Sequence, residues 1–295
     1  MMNKKFITRK NGATVTIFAP YDCNNSCPFC VNKKDYKNNE DFSFNLEKVI
    51  ESINLMDSIT PKCDFVITGG EPLASRQKLK KILDAIRHQN NNGSNHNVFI
   101  NTTYPYNIED VKFLNSFQGL INEINISRHL SPFFKEGDDS LICKLELSVR
   151  INCVVLSKYE VHKIKDFIKR FNFDNVSGIQ LRDDYIDVKW DNLFNIRENE
   201  IFLAVVKELA GHDVIFPEQY IKSIESFRWN AEFDTEYKPV WFHQTMHQSK
   251  LEYDEYVEIN DIIIHPNGKI VDDWNEYGSK LDIEKYAYAV NDVSI

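Results

Sequence analysis

The chain has 295 residues, 42% of them hydrophobic, and 44 acidic against 35 basic side chains give a net charge of −9. That size and apolar content suffice for one large α/β domain or two modest ones. The acidic residues are spread along the chain with no basic stripe, which argues against non-specific nucleic-acid binding, and no apolar run is long enough for a membrane span.

Met1-Met2-Asn3-Lys4-Lys5 is not followed by the continuous apolar segment of a secretory signal, so a cytoplasmic location is expected. Residues Ala13 to Pro20 alternate and are rich in β-branched side chains, which predicts a strand. It runs into Tyr21 to Asn32, where three of the six cysteines fall within eight residues: Cys23, Cys27 and Cys30. The intervening Asn-Asn-Ser and Pro favour a loop. Leu46, Val49, Ile50, Ile53 and Met56 then recur at helical spacing over Asn45 to Asp57. A second strand, Asp64 to Thr68, ends in Gly69-Gly70-Glu71-Pro72, and Ser75 caps a helix with a stripe of Leu79, Ile82, Leu83 and Ile86.

The pattern repeats: strand Asn97 to Thr102, helix near Ile108 to Phe117, strand Glu123 to Ser127, and a looser segment through Pro132 and Gly137. Strand Leu147 to Leu156 leads to a helix around His162 to Phe171, and strand Gly178 to Arg182 leads to a helix from about Glu198 to Leu209. This succession of strand-then-helix units points to a parallel sheet with crossover connections, in which chemistry gathers at the C-terminal strand ends. The cysteine loop and the Gly-Gly-Glu-Pro segment both fall at such ends. The alternation weakens over the last 90 or so residues, and a hairpin centred on Asn267-Gly268 is expected within Tyr256 to Trp274.

In each strand one alternating set is polar. Thr14 and Thr16 alternate with Val15 and Ile17; Thr68 follows Ile67; Asn101 follows Ile100; Asn125 and Ser127 alternate with Ile124 and Ile126. Arg150 and Asn152 alternate with Val149 and Ile151, and Gln180 and Arg182 with Ile179 and Leu181. A closed barrel would fill its centre with Val, Ile and Leu. The polar set therefore lines either a wide interior that holds polar ligands or the exposed face of an ordinary sheet.

Three thiolates are one ligand short of a closed zinc site or a fully cysteine-ligated cluster, so an open coordination position is inferred, with a zinc loop or plain reduced cysteines as the alternatives. The Cys23-x-x-x-Cys27-x-Phe29-Cys30 string resembles the signature of the radical S-adenosylmethionine (radical SAM) superfamily. The resemblance implies a 4Fe–4S cluster whose free iron chelates S-adenosylmethionine, in a partial (β/α)6 TIM-like barrel. Residues 1–213 would form that core, with a small hairpin-and-helix appendage over 214–295. It further implies that Gly69, Gly70, Glu71 and Pro72 meet the methionine amino group, Arg128 the carboxylate, Asn152 the ribose and Phe29 the adenine. Asn101, Ser127 and Leu181 join that cofactor-binding set. His129, Arg150, Gln180 and Arg182 are candidates for substrate contact.

Cys63, Cys143 and Cys153 are read as small buried apolar residues, and no cysteine lies beyond 153 to hold a second cluster. Asp272 and Asp273 stand where a cluster ligand of two-cluster relatives would fall. His243 and His247 are spaced to share a helix face but lack the glutamate of a zinc protease. The implied activity is reductive cleavage of S-adenosylmethionine, with a flavodoxin or ferredoxin as electron donor, to a 5′-deoxyadenosyl radical that takes a hydrogen from substrate. The arrangement resembles the group of the molybdopterin-precursor synthase and the peptide maturases. The substrate is accordingly a ribosomally made peptide or, alternatively, a small polar metabolite or nucleoside. A non-catalytic iron–sulfur redox sensor is the reading from another class.

Overall fold

The computed structural model describes residues 5–7, 13–18, 23, 25–30, 44–59, 62–131, 135–184, 188, 190–245, 250–254, 256–259 and 261–272. After a short β1 (Lys5–Ile7), the chain alternates strand and helix. β2 (Ala13–Phe18), α1 (Leu46–Ile59), β3 (Cys63–Thr68), α2 (Arg76–Asn91) and β4 (Asn97–Thr102) come first. α3 (Ile108–Asn115), β5 (Glu123–Ser127), β6 (Val149–Val154), α4 (Ile164–Arg170) and β7 (Val176–Arg182) follow. All six expected strands of the core are present. Between β5 and β6 the described residues of the expected looser segment form a 3-10 turn, Asp139–Lys144. α5 (Trp190–Leu193) and α6 (Glu200–Ala210) then precede β8 (Ile221–Glu225), β9 (Arg228–Phe233) and β10 (Val240–Thr245). The described chain ends in β11 (Lys250–Glu252), β12 (Tyr256–Ile259), β13 (Asp261–Ile264) and β14 (Ile270–Val271).

Among the described residues eleven strands form one sheet in the order β14-β13-β2-β3-β4-β5-β6-β7-β10-β9-β8. From β13 to β10 every neighbouring pair is parallel. The parallel α/β core is thus as expected. The region after 213 differs from the expected appendage, because its strands extend the same sheet at both edges: β10 lies beside β7 and β13 beside β2. A further three-stranded sheet pairs β1, β12 and β11.

Period-two alternation sets the two faces. Phe65, Ile67, Ile100, Ile124, Ile126, Ile151, Cys153, Ile179 and Leu181 are fully buried in one apolar core with Val49 and Ile53 of α1 and Leu79, Ile82 and Leu83 of α2. Apart from the buried Glu123, the intervening residues of β3 to β6 are only half-buried, Thr68, Asn101, Asn125, Ser127, Arg150 and Asn152 among them. The inner face is not polar throughout. At the β2–β13 edge Phe18, Ile263 and Val271 form a separate apolar cluster, with His265 stacked on Phe18 at 5.6 Å.

The Asn267-Gly268 hairpin forms as expected. Gly268 N–H donates to His265 O (2.8 Å), and Gly268 holds φ at 82°. The turn packs on α1, where a Cβ on Gly268 would come within 2.7 Å of the Lys48 backbone. Ser52 Oγ donates to Gly268 O (2.6 Å) and Asn45 N–H to Pro266 O (2.7 Å). Asp272 is buried and Asp273 lies outside the described residues.

Candidate functional site

The cysteine loop follows β2, and its three thiols are half-buried and outside any disulfide. Asn25 N–H points at Cys23 Sγ (3.4 Å) and Cys30 N–H donates to Cys27 O (3.1 Å). The loop is pinned from across the sheet: the Asn25 side chain donates to Lys135 O (2.8 Å) and accepts from Lys135 N–H (2.7 Å), and Tyr106 Oη donates to that same carbonyl (2.8 Å). Phe29 lies against His129, ring centroids 5.4 Å apart.

The donor set suits an iron–sulfur cluster. Three reduced cysteines on one short loop would hold three irons of a 4Fe–4S cluster and leave the fourth open, and an amide aimed at a cysteine sulfur, as Asn25 N–H is at Cys23, would stabilise a cluster thiolate. Among the described residues no group of three or more His, Cys, Asp or Glu side chains is placed to hold a single metal ion.

At the end of β3, Gly69 takes φ 126°, a conformation open to glycine, and Glu71 is 3% exposed. Its carboxylate is fully engaged. Oε1 accepts from Leu73 N–H (3.1 Å) and Thr102 Oγ1 (2.5 Å), and Oε2 from Thr103 N–H (2.8 Å) and Thr103 Oγ1 (2.8 Å). Burial raises its pKa, opposed by the bonds from Thr102, Thr103 and Leu73. Pro72 is buried at the start of the 3-10 turn Pro72–Ser75.

Arg128 corrects the expectation of an open carboxylate partner. It continues the Ile124–Ile126 side of β5, away from the Asn125–Ser127 side, and is wholly buried. Nε pairs with Asp139 Oδ1 (2.7 Å), and Nη1 donates to Thr103 O (2.9 Å) and Ser127 O (2.8 Å). His129 falls back on the inner side, with Nδ1 3.0 Å from Glu136 Oε1. Leu181 lies, as its place in the apolar alternating set implies, with its side chain wholly buried in the helix-facing core, which leaves only its backbone for the inner face.

The remaining predicted residues share the inner face. Backbone registers place Asn101 beside Asn125 and Asn125 beside Arg150, and in the next row Ser127 beside Asn152 and Asn152 beside Gln180. Asn125 Nδ2 donates to Asn101 Oδ1 (2.8 Å). Arg150 pairs with Glu123 (2.5 Å) and reaches Gln180 Oε1 (3.5 Å). Asn125 Oδ1, Arg150 Nε and Asn152 Oδ1 are buried without a hydrogen-bond partner.

Sequence reasoning missed the wall that β10 adds. Residues 240–245 form a strand where the His243 and His247 spacing suggested a helix, and His247 lies outside the described residues. Trp241 sits beside Gln180 and His243 beside Arg182. The Trp241 ring occupies the space a Cβ on Gly178 would need, 2.2 Å away, and carries the Arg150 guanidinium at 5.4 Å. Burial, with Arg182, Arg228 and Arg150 nearby, pushes the His243 pKa down to about 3, so its imidazole is neutral. The alternation of buried Val240 and Phe242 with Trp241 and His243 was the available signal. Cys63 and Cys153 are buried as expected, and burial raises both thiol pKa values. Cys143 is exposed on its 3-10 turn, against the expectation of a buried residue. No described helix is long and apolar enough to cross a membrane.

Residues 10–131 match a family model described as a 4Fe-4S single cluster domain. No curated protein matches the chain. Among solved structures, native anSMEcpe with bound AdoMet and a Kp18Cys peptide is 15% identical, with a TM-score of 0.56 over 95% of this chain and 83% of that one. Native anSMEcpe with bound AdoMet is 14% identical, with a TM-score of 0.55 over 95% of this chain and 81% of that one. Against a tagged form with bound AdoMet the identity is 17% and the TM-score 0.47, covering 69% of this chain and 63% of that one, less than two thirds of its length. At such identities the likeness is one of fold.

Proposed function

We propose that this chain is a radical SAM enzyme that modifies a peptide, a reading supported by the 4Fe-4S single cluster domain matched over residues 10–131 and by the fold. Cys23, Cys27 and Cys30 would hold a 4Fe–4S cluster, and Gly69 and Gly70 the methionine end of S-adenosylmethionine. Together these would supply a one-electron cleavage giving a 5′-deoxyadenosyl radical that removes a hydrogen atom from substrate. The protein's share is placement. The loop hooked by Asn25 keeps the thiols at the strand ends, and the inner face of β5, β6, β7 and β10 orients what lies beneath them.

The observation that carries the reading is three cysteines, none in a disulfide, on one pinned loop beside a glycine turn at the next strand end. The peptide substrate is supported by the shared fold with anSMEcpe, which binds the Kp18Cys peptide in one of its structures. Asn152, Gln180 and Arg182 are proposed ligand contacts, with Arg150, Trp241 and His243 behind them. A flavodoxin or ferredoxin is the proposed electron donor. The test is anaerobic reconstitution followed by dithionite and S-adenosylmethionine. 5′-Deoxyadenosine should accumulate, and Cys27→Ala should lower it by more than the ~100-fold typical of losing an outer-shell group. A fully loaded cluster that yields none would favour the redox-sensor alternative.

A further inference from the structure

The two residues that family position offers as ligands of S-adenosylmethionine, Glu71 and Arg128, are both committed elsewhere. An ionised carboxylate has about four lone-pair sites, and Glu71 fills that number with the Leu73 amide, both Thr103 donors and the Thr102 hydroxyl. Replacing any of them with an ammonium group would strand a donor that now faces the buried carboxylate.

The bonds lead onward from there. Thr103 O accepts from Arg128 Nη1 (2.9 Å) and from Gly137 N–H (3.0 Å), and Pro105 O accepts from Asp138 N–H (2.7 Å). A Cβ on Gly137 would lie 2.0 Å from Pro105 O, so only glycine lets the two segments approach this closely. Two residues earlier Lys135 holds Asn25 of the cysteine loop, and Tyr106 Oη closes on Lys135 O. One continuous hydrogen-bonded path therefore runs from the glycine turn, through residues 102–106, to the cysteine loop. The one nitrogen of Arg128 without a partner, Nη2, is sealed from solvent.

We propose that Glu71 and Arg128 are positioning residues which clamp the turn after β4, fixing the glycine loop and the cysteine loop at one separation without touching S-adenosylmethionine. This rests on the radical SAM reading above.

The decisive measurement compares S-adenosylmethionine with its analogue lacking the α-amino group, each bound to reconstituted wild type and Glu71→Gln. Glutamine would turn an N–H₂ toward donors of Thr103. A clamp predicts that both ligands lose affinity by the same factor, about 10-fold. Loss confined to the ligand that has the amino group would overturn the proposal for Glu71. Arg128→Lys with the analogue whose carboxylate is an amide gives the matching test: equal losses support the clamp, and loss for the carboxylate form alone sinks it. Thr103→Ser, which keeps the hydroxyl, should restore most of what Thr103→Val loses.

A second readout uses the unliganded chain. Hydrogen exchange at the Leu73 and Thr103 amides should quicken in Glu71→Gln before any cofactor is added, and unchanged protection would refute the clamp. Wild type that carries a cluster yet ignores S-adenosylmethionine would instead defeat the functional reading, with the exchange result still deciding the clamp.

Discussion

Two polar regions of the molecule invite comparison: the rim formed where β3, β4 and β5 end, and the wall that β5, β6, β7 and β10 turn inward. At the rim the Glu71 carboxylate is met by four donors and Arg128 Nε and Nη1 by Asp139, Thr103 and Ser127, with Nη2 the one unmet position. On the wall Asn125 Oδ1, Arg150 Nε and Asn152 Oδ1 are all buried and unmet. A buried polar atom left unpaired costs about 1–3 kcal/mol, so the wall carries a penalty that the rim largely avoids. The two share composition and differ in satisfaction. A satisfied network makes a rigid support, whereas unpaired groups are tolerated where geometry serves something other than stability.

That division predicts different losses. Arg150→Ala removes the partner of Glu123, whose side chain is 10% exposed, and should destabilise the protein by about 2 kcal/mol, below the range for a fully buried pair because Arg150 itself is 32% exposed. A urea titration measures it. In the same variant, product formation from a peptide substrate should fall more steeply than substrate-free cleavage of S-adenosylmethionine. Equal falls would erase the distinction between wall and rim.

The next test sharpens the wall's electrostatics. His243 is held neutral by burial and by Arg182, Arg228 and Arg150, with its pKa down at about 3. A folded pKa below the unfolded value means the unfolded chain binds the extra proton between roughly pH 6.5 and 3. Wild type should therefore lose stability as pH falls through that window, and His243→Gln should lose roughly 1–2 kcal/mol less of it. Parallel acid curves for the two proteins would mean that the three guanidinium groups do not bear on His243.

How far these regions could be read from the chain depends on the range of the interactions. The six core strands are legible because period-two alternation is local: Ile124 and Ile126 against Asn125 and Ser127 set the faces without knowledge of partners. The same parity, carried two residues further, puts Arg128 with the isoleucines, so its burial is legible in the sequence even though family position points the other way. Glu71 was different. Its partners Thr102 and Thr103 lie about 30 residues on, and nothing local marks two hydroxyls as destined for one carboxylate. β10 joins β7 and β13 joins β2 across long separations, and a parallel pairing of that kind leaves no trace in either segment alone.

The smallest expected effect tests the boundary between the two regions. Asp183 follows the last residue of β7 and stands partly exposed, with burial pushing its pKa up to about 6, Asp184 adding to the rise and the Asp184 amide and Asn199 opposing it. A carboxyl with a raised folded pKa binds its proton more readily when folded, so stability should decline as pH rises from about 4 to 6. Above that window the charged group is a burden that Asp183→Asn removes, by roughly 1 kcal/mol once solvent screening of so open a site is allowed for. Below pH 4 the two proteins should melt together. Were the variant instead less stable at neutral pH, Asp183 would be a paired carboxylate like Glu71, and the satisfied network of the rim would have to be drawn to include the end of β7.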